Sequence, residues 1–176
     1  TTVTVTGTGF VARTTAQWNG SARPTTVQSS TQLTAALTSA DVAEAGNGTI
    51  TVQTSSPGGG TSSTLTVAIV NPAPTLSAVV PASLATGGAS TAITVTGTGF
   101  VATSRVHWNG AMRPTTFSNA TTLSATLDAA DVATAGSGTV TVVTPAPGGG
   151  TSSGIAVVVN NPVPTLASVT PTSIAV

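Results

Sequence analysis

Few residues of this 176-residue chain could do chemistry: one histidine, four arginines, three aspartates, one glutamate and two tryptophans, with neither cysteine nor lysine. His107 adjoins Trp108 and so points to the opposite face of any strand carrying both. Metal binding or nucleophilic catalysis would need further ligands or an orienting carboxylate beside it, and no such residue is near it in sequence. Asp128 and Asp131 offer hard oxygen ligands of the kind calcium takes; the same spacing at a helix start is read more simply as a cap. Pro57-Gly58-Gly59-Gly60 has the glycines of a phosphate loop without the following lysine and helix, and is read as a strand connection. Trp18 and Trp108 could stack on sugar rings and are the candidate glycan contacts, although Ala16 with Trp18 and Val106 with Trp108 share a strand face as core residues do. The expectation is a non-enzyme with no catalytic residue, cofactor or bound metal.

Composition narrows the partners. Only 5% of residues are charged and the net charge is zero, so the dense basic patch that nucleic acid requires is missing. No apolar run approaches the roughly 18 residues of a membrane span. Without cysteine there are no disulfides and no thiolate metal sites. Three Asn-x-Ser/Thr triplets, at Asn19, Asn47 and Asn119, match the glycosylation acceptor pattern.

The elements that must position these residues come in duplicate. Thr1 to Ala12 recurs as Thr91 to Ala102, and the same offset of 90 carries Trp18-Asn19-Gly20 onto Trp108-Asn109-Gly110 and Arg23-Pro24-Thr25-Thr26 onto Arg113-Pro114-Thr115-Thr116. About 49 of the 86 aligned pairs are identical without a gap, which identifies a modular array. Asn71-Pro72-Ala73-Pro74 and Asn161-Pro162-Val163-Pro164 close the repeats; paired prolines favour an extended, semi-rigid connection.

Within each repeat, apolar residues alternate with Thr and Ser at period two: Val3 and Val5, Leu33, Ala35 and Leu37, Ile50 and Val52, Leu65, Val67 and Ile69, with matching positions in the second copy. Asn19-Gly20 and Asn109-Gly110 supply the positive φ angles of a tight hairpin. Residues 39–46 and 129–136 each predict about one helical turn ended by a glycine in the left-handed conformation. About seven short strands in some 85 residues describe an all-β, Ig-like antiparallel sandwich. The predicted core comprises Leu33, Leu37, Val52, Val67 and Trp18, with Leu123, Leu127, Val142, Val157 and Trp108.

Asn-Pro-x-Pro-Thr-Leu, Pro-x-Ser, Thr-Val-Thr-Gly-Thr-Gly-Phe, Trp-Asn-Gly, Arg-Pro-Thr-Thr and Pro-Gly-Gly-Gly-Thr-Ser, in that cyclic order, resemble the IPT/TIG repeats found in tandem on large bacterial surface and secreted proteins. The resemblance implies an early-set immunoglobulin-like fold and an extracellular or cell-surface spacer, stalk or adhesive role. The expected organisation is a first repeat over residues 1–70 lacking its own first strand, a second over 74–159, and a segment, 162–176, with the sequence of a following repeat's first strand. Leu166, Val169 and Ile174 are its candidate assembly residues. The expected partners are copies of the chain joined head to tail, by strand addition or within a longer covalent array, with surface glycans as the alternative.

Overall fold

A computed structural model describes residues 1–175. Threonine and valine alternate along β1 (Thr2–Thr6), so the β-branched pattern suits an extended strand with the valines turned inward and the threonines outward. The first repeat continues with β2 (Thr14–Trp18), β3 (Ser21–Ala22), β4 (Thr25–Ser29), β5 (Gln32–Ala36), β6 (Gly46–Thr54), β7 (Gly60–Thr61) and β8 (Leu65–Ile69). The second repeat opens with two strands that have no counterpart among these, β9 (Thr75–Val80) and β10 (Ser83–Ala85). Then follow β11 (Thr91–Thr98), β12 (Arg105–Trp108), β13 (Ala111–Met112), β14 (Thr115–Asn119), β15 (Thr122–Leu127), β16 (Gly136–Thr144), β17 (Gly150–Thr151) and β18 (Ile155–Asn160).

In the first repeat one sheet is β1-β5-β4 and the other is β3-β2-β6, with β7 and β8 also paired to β6. In the second, one sheet is β14-β15-β11-β9 and the other is β10-β18-β16-β12-β13, with β17 on β16. Every strand pair is antiparallel except β10 with β18. The chain forms two compact units, Thr1–Pro72 with Pro145–Gly149, and Ala73–Thr144 with the residues from Gly150 on.

Asn19 and Asn109 take positive φ, 48° and 49°, and the hairpins close with Trp18 opposite Ser21 and Trp108 opposite Ala111. The asparagine side chains also brace the neighbouring strand: Thr49 N and Thr139 N each donate to the Asn19 and Asn109 Oδ1 at 2.8 Å. The predicted helical turns are single 3₁₀ turns at Ala40–Val42 and Ala129–Val132. They end at Ala43 and Ala133 in right-handed conformation, whereas Gly46 and Gly136, expected to stop them, instead begin β6 and β16.

Hydroxyls replace ladder partners at equivalent points. Ala16 N and Val106 N donate to Thr25 and Thr115 Oγ1, and Val52 N and Val142 N donate to Ser62 and Ser152 Oγ, all at 2.9–3.0 Å. Thr14 pairs with Thr54 and Ser104 with Thr144 through their hydroxyls at 2.9 and 2.8 Å, which satisfies polar groups held in or at the edge of the core.

The second core is closed. Val79, Ile93, Val95, Phe100, Trp108, Leu123, Leu127, Val132, Val142, Val157 and Val159 are all buried. In the first, Phe10, Trp18, Leu33, Leu37 and Ile50 are buried, but Val3, Val5, Val42, Val52, Val67 and Ile69 are only partly so. Expected core positions Val52 and Val67 are thus half-buried, while Val142 and Val157 are fully enclosed. The alternation that points Val52 and Val67 inward is the same as for their counterparts. What differs is the covering layer: β9 lies against β11, β16 and β18 in the second repeat, and no described strand takes that place in the first.

Candidate functional site

The site follows from that difference. β11 is flanked by β15 on one side and β9 on the other, with Val95 opposite Val79 and Gly97 opposite Leu76. β1 is flanked by β5 alone, and its outer edge has no strand against it among the described residues. Likewise β18 pairs with β16 and β10, while β8 pairs only with β6. Between these two open edges lies a groove of about 250 Å³ lined by Val5, Gly7, Phe10, Ile50, Val52 and Leu65 among others. Leu65 is 61% exposed, whereas its counterpart Ile155 packs against a closed core. The groove exposes apolar carbon beside unpaired backbone donors and acceptors, a combination that favours an added strand.

Gly97 marks how close the covering strand comes. A Cβ there would lie 1.9 Å from the Thr75 carbonyl oxygen, so only glycine lets β9 approach. A Cβ on Gly7 would meet only the Phe10 ring, at 2.7 Å, since no strand of the described residues lies at the corresponding position.

Residues 161–175 form no strand and are exposed throughout. Leu166 is 87% exposed, Val169 65% and Ile174 88%. Their counterparts are placed quite differently: Val79 is buried, and Leu76 and Leu84 pack against the second core.

The tryptophans are not available to sugars. Trp18 is 1% and Trp108 3% exposed, and each indole lies on a backbone stripped of side chain: a Cβ on Gly48 or Gly138 would fall 1.8 Å from Cζ2 of Trp18 or Trp108. Both side chains are enclosed in the cores, so the candidate glycan contacts are core residues. The Trp18 indole N–H is buried without a partner, a cost accepted for filling the core. His107 is half-buried at the hairpin, its Nδ1 2.9 Å from the Gly110 carbonyl oxygen.

The carboxylates have structural partners that sequence reading did not foresee. Arg23 donates through Nε to Asp41 Oδ2 at 2.7 Å and through Nη2 to Oδ1; Arg113 grips Asp131 in the same bidentate way. Each pair ties the hairpin connection to the 3₁₀ turn eighteen residues later. The arginine hydrogen bonds lower the pKa of both carboxyls, that of Asp41 well below the usual carboxylate range, against the opposing effect of burial, and backbone N–H donors from Thr38 and Asp128 assist. A signal was present: both members of each pair recur at the offset of 90, whereas Asp128 is Thr38 in the first repeat. Among the described residues no three His, Cys, Asp or Glu side chains gather where a metal ion could sit. No helix there is long and apolar enough to cross a membrane.

The family model described as IPT/TIG domain matches residues 1–69 and again 74–172. The chain belongs to the IPT/TIG family. Its second match begins at the β9 segment and runs on into the exposed tail, so the tail too carries family sequence. A search of curated proteins finds no match to these IPT/TIG repeats. Among solved structures, the full extracellular region of plexin A4 is 21% identical over 73% of this chain and 11% of its own, with a TM-score of 0.33. The amphioxus IgVJ-C2 molecule is 14% identical over 89% and 95%, with a TM-score of 0.43. A Ca²⁺-stabilized adhesin with which an Antarctic bacterium binds ice is 19% identical over 92% and 44%, with a TM-score of 0.37. The IPT/TIG pair thus spans about a tenth of the length of the plexin chain.

Proposed function

We propose that this IPT/TIG pair is a structural module of an extracellular fibre, filament or stalk, in which each sandwich is completed by the strand segment that follows the sandwich before it. The observation carrying this reading is that β9 and β10, the segment that follows the first sandwich, close the second, and that residues 164–175 after the second sandwich repeat the sequence of that segment. A uniform, nearly uncharged surface supports it, because little like-charge repulsion opposes end-to-end association. Modules joined in this way, through strand addition or within a longer covalent array, give an open linear assembly, since a head-to-tail contact need not close.

The test is to label intact cells of the producing organism with antibody raised against this chain and to image them by electron microscopy. Thin, evenly segmented fibres at the surface are the expected result. Label confined to the cell interior, or spread over the surface as isolated particles, would overturn the proposal.

A further inference from the structure

Going beyond that reading, we infer that Asn119 is a covalent attachment site for a glycan, the one that the fold selects among the three acceptor triplets. The acceptor pattern needs a reactive asparagine amide and a hydroxyl two residues on. At Asn119 the two are already together: its Oδ1 accepts a hydrogen bond from Thr121 N at 2.9 Å and another from Thr121 Oγ1 at 2.8 Å. A backbone N–H can only donate, so it fixes the amide with Oδ1 toward Thr121 and Nδ2 away from it. Nδ2 has no hydrogen-bond partner among the described residues, and Asn119, Ala120 and Thr121 are all exposed.

The turn is held from behind. It joins β14 to β15, with Asn119 opposite Thr122, and its carbonyl groups are taken by the end of β11 and the loop after it. Gly97 N donates to Thr121 O at 3.0 Å and Phe100 N to Ala120 O at 3.1 Å. These bonds anchor the backbone of the triplet and leave its side chains in solvent.

The other two triplets are committed elsewhere. Asn19 Oδ1 is bound by Thr49 N at 2.8 Å and by Thr49 Oγ1 at 3.1 Å, so the hydroxyl that meets it lies thirty positions away and is not that of Ser21. The same bond takes the Thr49 hydroxyl from the triplet at Asn47. That triplet is also drawn out in β6, with Asn47 opposite Ala68 and Thr49 opposite Thr66. In the first repeat the turn equivalent to Asn119-Ala120-Thr121 is Ser29-Ser30-Thr31; Ser29 Oγ accepts from Thr31 N at 3.2 Å, but there is no amide to modify.

The donor is a polyprenyl diphosphate-linked sugar. Nδ2 of Asn119 forms a bond to C1 of the sugar as the bond from C1 to the diphosphate oxygen breaks. The polyprenyl diphosphate leaves with that electron pair, and one Nδ2 proton passes to a base of the transferase. The two donors on Oδ1 stabilise the negative charge which that oxygen gains as Nδ2 gives up its proton. The attached sugar hydroxyls add hydration to a chain of which only 5% of residues are charged.

The experiment maps glycopeptides of the full chain secreted by its producing organism, by mass spectrometry before and after an amidase that releases N-linked glycans and leaves aspartate at the attachment point. A glycan at Asn119 and none at Asn19 or Asn47 is the expected result. Asn119→Gln and Thr121→Ala should each abolish it, whereas Thr121→Ser, which keeps the hydroxyl, should retain it. These changes fall on an exposed turn, and unchanged tryptophan fluorescence would show that both repeats remain folded. Ser29→Asn places an acceptor triplet on the equivalent turn of the first repeat and should add a second glycan. An unmodified Asn119 would overturn the proposal, as would a Thr121→Ala chain that keeps its glycan. Modification of all three triplets alike would mean that they are chosen before folding, which overturns selection by the fold. Failure of Ser29→Asn to gain a glycan would overturn the turn as the selecting feature.

Discussion

The two repeats share about 57% of their residues (49 of 86 aligned pairs), the same strand faces, the same hairpin, the same arginine–aspartate clamp and the same tryptophan on glycine. Yet Val142 and Val157 are fully enclosed, whereas Val52 and Val67, identical residues at identical offsets, stay half-buried. The covering strands β9 and β10 account for the difference. A sandwich core is a property of both its layers together, and an inward-pointing valine is only as buried as the strand opposite it allows. The comparison also separates what each repeat can do by itself, the hairpin and the clamp, from what it needs a further segment to achieve.

The largest effects should be the same in both repeats, because Trp18 is as buried without a covering strand as Trp108 is with one. Trp18→Ala and Trp108→Ala should each cost about 3–5 kcal/mol in their own repeat, measured by denaturant unfolding. A difference between them of more than about 2 kcal/mol would break the claim that the two tryptophan sites are equivalent. Since each repeat holds one tryptophan, Trp18→Phe and Trp108→Phe chains let fluorescence follow one repeat at a time.

The next effect should distinguish the repeats. Removing the two γ-methyls of a fully buried valine forfeits roughly 0.8 kcal/mol for each carbon, with a cavity cost in addition. Val142→Ala should therefore lower the stability of the second repeat by about 2 kcal/mol, and Val52→Ala that of the first by about half as much. Equal costs would mean that the open edge leaves the first core unaffected.

Acid should weaken both repeats together. Asp41 and Asp131 have folded-state pKa values below the ordinary carboxylate value. Each therefore adds stability that is fully present above the unfolded-state value of about 4 and is lost as pH falls from there toward the folded values. Unfolding midpoints measured from neutral pH downward should hold steady and then drop below about pH 4. Asp131→Asn should remove that part of the drop from the second repeat alone. The smallest effect belongs to His107→Gln, which installs the residue found at the equivalent Gln17; a half-buried hairpin side chain should move stability by no more than about 0.5 kcal/mol.

Much of this was legible beforehand because it depends on short-range chemistry. Period-two alternation placed Val5, Leu33 and Leu123 on inward faces, Asn-Gly required a tight turn with positive φ, and the uninterrupted offset of 90 revealed two modules and their family. The resemblance of residues 164–175 to residues 74–85 was likewise visible in the sequence alone. Three things needed the tertiary structure. Burial of Val52 against Val142 depends on a strand that arrives from another part of the chain, which no local pattern encodes. The Arg23–Asp41 and Arg113–Asp131 clamps join residues that the fold alone brings within bonding distance. Gly48, the middle residue of the Asn47 triplet, and Gly138 carry no local sign of the indoles that lie on their backbone at a separation that admits no side chain. Sequence determines which way a side chain points; the packing of distant segments decides what it meets there.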